Sequence, residues 1–345
     1  MQERVLVTGA NGFIASHITK LLLEEGFAVR GTVRDPLKVD TIGFLKALPG
    51  ASNLELVSAD LNDESAFSNY TADVDYVIHT ASPFVIDVED VERDLVKPAV
   101  RGTISALEAA AKSSRVKRVI LTSSMAAITD APDDRVLTEA DWNENSSAKR
   151  NPYYYSKTQA ERAAWTFIER DNISFDLVAI NPFMVAGPSL SAGVSTSNQL
   201  FIDIANGQYP ALMALSWGFV DVRDVAKAHV RAMKAPNAKG RYICSAGNMD
   251  MHQVTDIMRS VGVRGKLPSL DMSGRLGTAT MKLLSHFQPS GIGSYLRTHL
   301  GSVPQIDNSK IRRDLGIEFR AVEDTIHDTV HDLIEWGHLS RLRTY

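Results

Sequence analysis

Through residues 1–182, short apolar runs alternate with stretches whose apolar residues recur at helical spacing. The runs 4–8, 28–33, 54–58, 76–80, 117–123 and 175–181 lack polar alternation, the pattern of strands covered on both faces. Between them lie helical patterns such as 14–25, where Ile18, Leu21 and Leu22 share a face and Gly26 supplies the stop. Strands separated by helices predict right-handed crossovers and a doubly wound parallel sheet of the α/β class. Past Pro182 the pattern changes. Residues 183–217 are rich in Ser, Gly, Asn and Met, 218–233 resume a strand and then a helix, and 241–245 read as another strand. The stretch 264–305 is too long to stay structureless in a compact domain, so short helices are expected at 274–286 and 291–300.

Composition narrows the class. With 44% hydrophobic and 23% charged residues, the 345-residue chain can bury a large core. A net charge of −4 with scattered Lys and Arg argues against a nucleic-acid or membrane surface. The one cysteine, Cys244, excludes an internal disulfide and lies in an apolar run, which predicts buried packing. A strand within four residues of the amino terminus leaves no signal peptide, and no apolar run approaches the roughly 20 residues of a membrane span. The expectation is a soluble cytoplasmic protein, a monomer or a homodimer paired through helices near 103–112 and 155–168.

The first strand runs into Gly9-Ala-Asn-Gly12-Phe-Ile-Ala15 and then a helix. Gly9 permits a tight turn, Gly12 lets backbone amides approach a pyrophosphate, and Ala15 replaces a third small residue in helix–strand packing. The tip of the second strand has Thr32 where a ribose-reading carboxylate would serve NAD, and Arg34 just beyond it. A guanidinium there suits the 2′-phosphate of NADP(H), with Lys38 adding charge and Asp35 opposing it. Asp60 and Leu61 are placed for the adenine edge, with a helix N-cap as the competing reading. The predicted organisation is a dinucleotide-binding Rossmann domain over 1–182, completed by 218–245. A smaller, partly helical substrate-binding lobe comprises 183–217 and 246–345.

Tyr153 and Lys157 lie four residues apart at the start of a helical stretch and share a face. A lysine one turn away stabilises a phenolate and turns a tyrosine into a proton donor–acceptor. Tyr154 and Tyr155 have no lysine at that spacing and fall to packing or to the pocket wall. Ser124, chosen over Ser123, ends the fifth strand, where a hydroxyl can polarise a carbonyl. His79 reads as a satisfied core histidine, and Asp133 and Asp134 as solvated. No grouping has metal-ligand spacing. Phe84, Met125, Phe183, Met184 and Phe219 are candidate walls of an apolar pocket.

Gly9-x-x-Gly12-x-x-Ala15, His79-Thr-Ala-Ser-Pro83, Leu121-Thr-Ser-Ser124 and Tyr153-x-x-x-Lys157, in this order, resemble the extended short-chain dehydrogenase/reductases. The segments 92–102, 219–229 and 240–245 resemble the dihydroflavonol 4-reductase branch, with its plant flavonoid and cinnamoyl-CoA reductases and its fungal aldehyde reductases. The resemblance covers residues 3–260 well and the remainder only through 307–311 and 315–317. It implies Tyr153 as general acid, Ser124 as carbonyl donor, and Lys157 as the group that lowers the tyrosine pKa and holds the nicotinamide ribose. It also implies a cofactor path along Gly9, Asn11, Gly12, Phe13 and Ile14, then Arg34, Lys38, Asp60 and Leu61. The path continues through Thr80, Ala81, Ser82 and Thr122 to the nicotinamide, flanked by Asn181, Pro182, Phe183, Met184 and Val185. Sugar epimerases of the superfamily have Asn where this chain has Ala99, and plant flavonoid reductases commonly have Asn at Thr129; both departures turn the substrate away from those classes.

The expected function is NADPH-dependent reduction of an aldehyde or ketone, a small-molecule carbonyl, by hydride transfer with Tyr153 as acid. The alternatives are an NAD(P)-dependent hydroxysteroid or alcohol dehydrogenase, a nucleotide-sugar epimerase, and a non-catalytic NADP-sensing regulator.

Overall fold

The computed structural model describes residues 2–59, 67–81, 90–131 and 135–341. The elements follow in chain order as β1 (Arg4–Thr8), α1 (Phe13–Glu24), β2 (Ala28–Val33), α2 (Val39–Lys46), β3 (Leu54–Ser58), α3 (Ser68–Thr71), β4 (Tyr76–His79), α4 (Lys97–Ala111), β5 (Arg118–Thr122), α5 (Pro152–Ile168) and β6 (Asp176–Pro182). They continue as β7 (Met184–Ala186), α6 (Gln199–Ala205), β8 (Ser216–Asp221), α7 (Val222–Lys234), β9 (Gly240–Cys244), β10 (Gly247–Asp250), α8 (Met251–Ser260), β11 (Val263–Arg264), α9 (Arg275–Leu284), α10 (Ser290–His299), α11 (Ser309–Leu315), α12 (Val322–Glu335) and β12 (Ser340–Arg341).

The large sheet is parallel throughout and has the order β3-β2-β1-β4-β5-β6-β9. Alternation along each strand explains its two covered faces. Val5, Val7, Ile78, Ile120, Val178 and Ile180 pack with Ile18 and Leu22 of α1 and Val225 and Val230 of α7. Leu6, Val77, Val119, Leu121 and Leu177 pack on the other face with Leu107 and Ala110 of α4 and Ala164 and Phe167 of α5. Chain order reverses between β1 and β4, which opens a crevice at their carboxyl ends.

The smaller lobe is built on a second sheet, β10-β8-β7. Phe201, Trp217, Phe219, Met249, Met258, Ile326 and Val330 form its core. The segment 218–245 divides between the lobes: β8 lies in the small sheet, while α7 covers the large sheet and β9 extends it. α9 and α10 occupy the stretch where short helices were expected. Cys244 is buried. Among the described residues no helix is long and apolar enough to cross a membrane, and no group of three or more His, Cys, Asp or Glu could hold a metal ion.

Four histidines, His17, His79, His229 and His299, are buried across the two lobes. Burial pulls each from the ordinary 6.5 down to about 4. The unfolded chain takes up these protons near pH 6.5 and the folded chain only near pH 4, so stability must fall as pH drops through that window. Thermal unfolding is expected to show a steep acid slope between those limits, and His229→Gln should reduce the slope by about one proton. A flat profile from pH 6.5 to 4 would contradict neutral burial.

Candidate active site

β1 ends at Thr8 and the chain turns at Gly9, whose φ of +66° is left-handed. A Cβ on Gly9 would lie 3.2 Å from the Ala81 methyl, and one on Gly12 would lie 3.1 Å from the Gly9 carbonyl oxygen. Gly12 caps α1 without a side chain, and the first turn of the helix holds no acidic residue. The orphan N–H donors there are open to an anion. Behind the loop, the Gly9 N–H donates to Thr32 Oγ1 at 3.0 Å and the Ala10 N–H to the Thr32 carbonyl at 2.8 Å. Gly31 allows this approach, because a Cβ there would stand 2.7 Å from the Ala10 methyl.

Arg34 is exposed just past β2 and makes no side-chain hydrogen bond or ion pair with a described residue. Asp35 is occupied locally, accepting from the Leu37 N–H at 2.9 Å. Lys38 is exposed at the start of α2. A loop that a Cβ would fill, a helix start without carboxylates and a free guanidinium fit a dinucleotide that carries an extra phosphate. Asp60, Leu61, Ser82 and Phe84 lie outside the described residues.

On the far side of the crevice, Asn151 starts α5 from the left-handed region, at φ +50°, and Pro152 follows as the first helical residue. Asn151 is held on three sides: its N–H donates to Ser294 Oγ at 3.2 Å, and its Nδ2 to the Asp130 carbonyl at 3.0 Å and to Thr298 Oγ1 at 3.3 Å. Arg150 pairs with Asp130 at 2.7 Å. This anchors the first turn of α5, where Tyr153 stands. Ser124 caps the 3-10 turn Met125–Ala127 by accepting the Ala126 N–H at 3.1 Å. With that lone pair used, its proton is free to point away, and the hydroxyl hydrogen-bonds the Tyr153 phenol. Lys157 Nζ lies 5.8 Å from the centre of the Tyr153 ring.

Burial pushes the Tyr153 phenol up to about 12, against the opposing hydrogen bond from Ser124. Burial also pulls Lys157 down to about 8. Desolvation thus disfavours the charged form of both groups in the free protein. His79 is buried and neutral at pH 7. Thr8 Oγ1 accepts the N–H groups of Thr80 and Ala81 at 3.1 and 3.0 Å, so its proton goes to His79 Nδ1 at 2.9 Å. His79 thus ties the ends of β1 and β4 together and is no general base.

Residues 5–245 match the model of the NAD dependent epimerase/dehydratase family. The chain belongs to this family. It is 36% identical over 340 residues to cinnamoyl-CoA reductase CAD2 of Medicago truncatula, covering 96% of this chain and 95% of that one. Anthocyanidin reductase of Vitis vinifera is 37% identical over 284 residues, covering 78% and 83%. Among solved structures, yeast methylglyoxal/isovaleraldehyde reductase Gre2 complexed with NADPH is similar with a TM-score of 0.79 and 32% identity, covering 97% and 99%. The expected kinship with the reductase branch of the extended short-chain dehydrogenase/reductases is borne out.

Other expected site residues in this family member fall into three groups. Phe183 and Met184 are partly exposed beyond β6, while Pro182 is buried and the Val185 side chain sits in the main core. Thr122 gives its hydroxyl to His229 Nε2 at 2.8 Å, Thr80 gives its own to the Thr8 carbonyl, and Thr129 gives its own to the Ala131 carbonyl at 2.5 Å. Phe219 is a correction. It is fully enclosed between Phe201 and Trp217, each ring 6.4 Å away, because its position in β8 faces the small lobe's core. It can back a pocket wall but not form one. Met125 is likewise buried, against Ile128, Leu137, Ile243 and Phe183.

Sequence reasoning missed Asn151, although an Asn-Pro pair opening a helix was a readable signal, and missed the buried ion pair of Glu161 on α5 with Arg241 on β9, at 2.6 Å. Phe183 lies flat on Gly218: a Cβ at 218 would stand 2.4 Å from its ring. Gly218→Ala must therefore displace that ring. The expected outcome is a severalfold change in KM for the carbonyl substrate with NADPH affinity retained, and unchanged KM would remove Phe183 from the pocket.

Proposed function

We propose that this chain is an NADPH-dependent carbonyl reductase that converts a small aldehyde or ketone to the alcohol. The observation that carries the reading is the joined pair of hydroxyls, Ser124 and Tyr153, with Lys157 one turn further on α5, across the crevice from the glycine loop. The named relatives that reduce carbonyl compounds, and the NADPH in the similar Gre2 structure, support it.

Gly9, Asn11, Gly12, Phe13 and Ile14 would hold the pyrophosphate, and Arg34 with Lys38 the 2′-phosphate. NADPH, when bound, supplies the hydride. Ser124 and Tyr153 would both donate to the carbonyl oxygen, which polarises it and fixes its place. As that oxygen gains charge, the Tyr153 O–H bond breaks and its proton passes to the new alkoxide. An alkoxide is a far stronger base than a phenolate, so the transfer runs downhill even from a phenol held at about 12. Lys157 in its cationic form would then stabilise the phenolate until solvent returns the proton.

NADPH oxidation against aromatic aldehydes, α-diketones, β-ketoesters and a dihydroflavonol tests the reading. Tyr153→Phe should lower kcat by at least about 100-fold while NADPH still binds, since it removes the general acid alone. Near-normal turnover in that variant would sink the assignment. Arg34→Ser should raise KM for NADPH by about 10- to 100-fold, the loss of a charge-assisted phosphate contact, and leave KM for NADH unchanged. Equal effects on both cofactors would take Arg34 out of the 2′-phosphate site.

A further inference from the structure

We propose that a buried clamp of Glu161 and Arg241 sets the position of Ser124 against Tyr153, making Glu161 a positioning residue for the carbonyl reduction inferred above, on which this proposal rests. Glu161 lies two turns beyond Tyr153 and one beyond Lys157, so all three share one face of α5. Its side chain is fully buried, and both carboxylate oxygens are matched by donors, from α5 itself, β9 and the chain ends after β5 and within β6. Oε1 accepts from Arg241 Nε at 2.6 Å and Trp165 Nε1 at 3.1 Å. Oε2 accepts from Asn181 Nδ2 at 2.7 Å, from Ser123 Oγ and, at 3.4 Å, from Arg241 Nη2.

These contacts converge on Ser124. Ser123 precedes it in the chain, and the Asn181 Nδ2 that bonds Glu161 also donates to the Ser124 carbonyl at 3.1 Å. Arg241 extends the grip to the turn that follows. Its remaining donors reach the carbonyls of Ala127 at 3.2 Å, Glu139 at 3.1 Å and Asp141, and its guanidinium stands 3.9 Å from the centre of the Trp142 ring. One carboxylate thus couples the helix carrying the proton donor to the strand end carrying its partner hydroxyl.

Further along, α5 meets the sheet through Ala164 and Phe167, contact that is non-directional; its other polar ties, Asn151 to the Asp130 carbonyl and Thr158 Oγ1 to the Ala126 carbonyl at 3.3 Å, reach the chain after Ser124 and not the strand end that carries it. Two hydroxyls that must meet one carbonyl oxygen need directional restraint. A buried ion pair is a poor source of stability compared with apolar packing, which leaves register as the property it can supply. Asn181 shows the cost: its Oδ1 is buried without a partner, because its amide is turned so that Nδ2 serves both Glu161 and Ser124. Glu161→Gln would put an NH2 where only acceptor oxygens now stand. Turning the Asn181 amide over would satisfy that NH2 and release the Ser124 carbonyl.

The test compares wild type, Tyr153→Phe, Glu161→Gln and Ser123→Ala for kcat, NADPH affinity and thermal midpoint. Rates with NADPH deuterated at the transferred hydrogen give the isotope effect. Glu161→Gln is expected to lower kcat by about 10- to 100-fold, the scale of a 1 Å misplacement, with NADPH affinity retained and a larger isotope effect on kcat. Ser123→Ala should move both readouts in the same direction by a smaller factor. Wild-type kcat and isotope effect in Glu161→Gln, with any loss confined to the thermal midpoint, would overturn the clamp. Should that variant fail to fold, an unchanged kcat in Ser123→Ala overturns it. Inactive Tyr153→Phe beside normal Glu161→Gln discards the clamp and keeps the reductase, whereas active Tyr153→Phe discards both.

Discussion

A parallel sheet covered on both faces leaves its strand ends as the places where polar groups can meet a ligand. With helices on each side, the interior positions of β1, β4, β5 and β6 are filled by aliphatic side chains. The chemistry is therefore driven to the residues that follow them: Gly9 after β1, Thr80 and Ala81 after β4, Ser124 after β5 and Phe183 after β6. The reversal of chain order between β1 and β4 sends the connections on either side to opposite faces of the sheet, the place where open α/β sheets take their ligands. α5 faces this row from one side, so a tyrosine in its first turn reaches the serine two residues beyond β5. Most of the site's layout follows from that one requirement, and the specific side chains refine it.

The same requirement explains what could be read from the chain alone. Strands and helices of the large sheet were legible because burial on both faces leaves short, continuous apolar runs in the strands and a period of 3.6 in the helices, and their bounds moved by only a residue or so. The glycine loop and the Tyr153–Lys157 pair were legible because each is local in sequence. Period does not say which sheet a strand joins, so β8 and the β9 that follows α7 looked alike although they lie in different sheets. Nor does it say whether an aromatic residue faces a crevice or a core, and Phe219 went to the core. The Glu161–Arg241 pair was hidden for a related reason: its members are 80 residues apart, and Arg241 sits in a strand whose other residues are apolar. Long-range polar contacts leave no local signature.

Burial sets the resting protonation of the free site. The same burial raises Tyr153 to about 12 and lowers Lys157 to about 8. Both shifts favour neutral forms, but they differ in consequence. At pH 7 the phenol keeps its proton almost completely, while the lysine remains mostly charged, with about one pH unit in hand. On the reductase reading, the tyrosine is thus poised to donate and already has a cation one turn away for the phenolate that donation leaves. Oxidation of an alcohol would begin from that phenolate, which burial opposes by about two pH units relative to an exposed tyrosine. The resting protonation of the free pair therefore leaves the phenol as donor and the ammonium as its partner, and both states follow from the depth at which α5 buries its first turns.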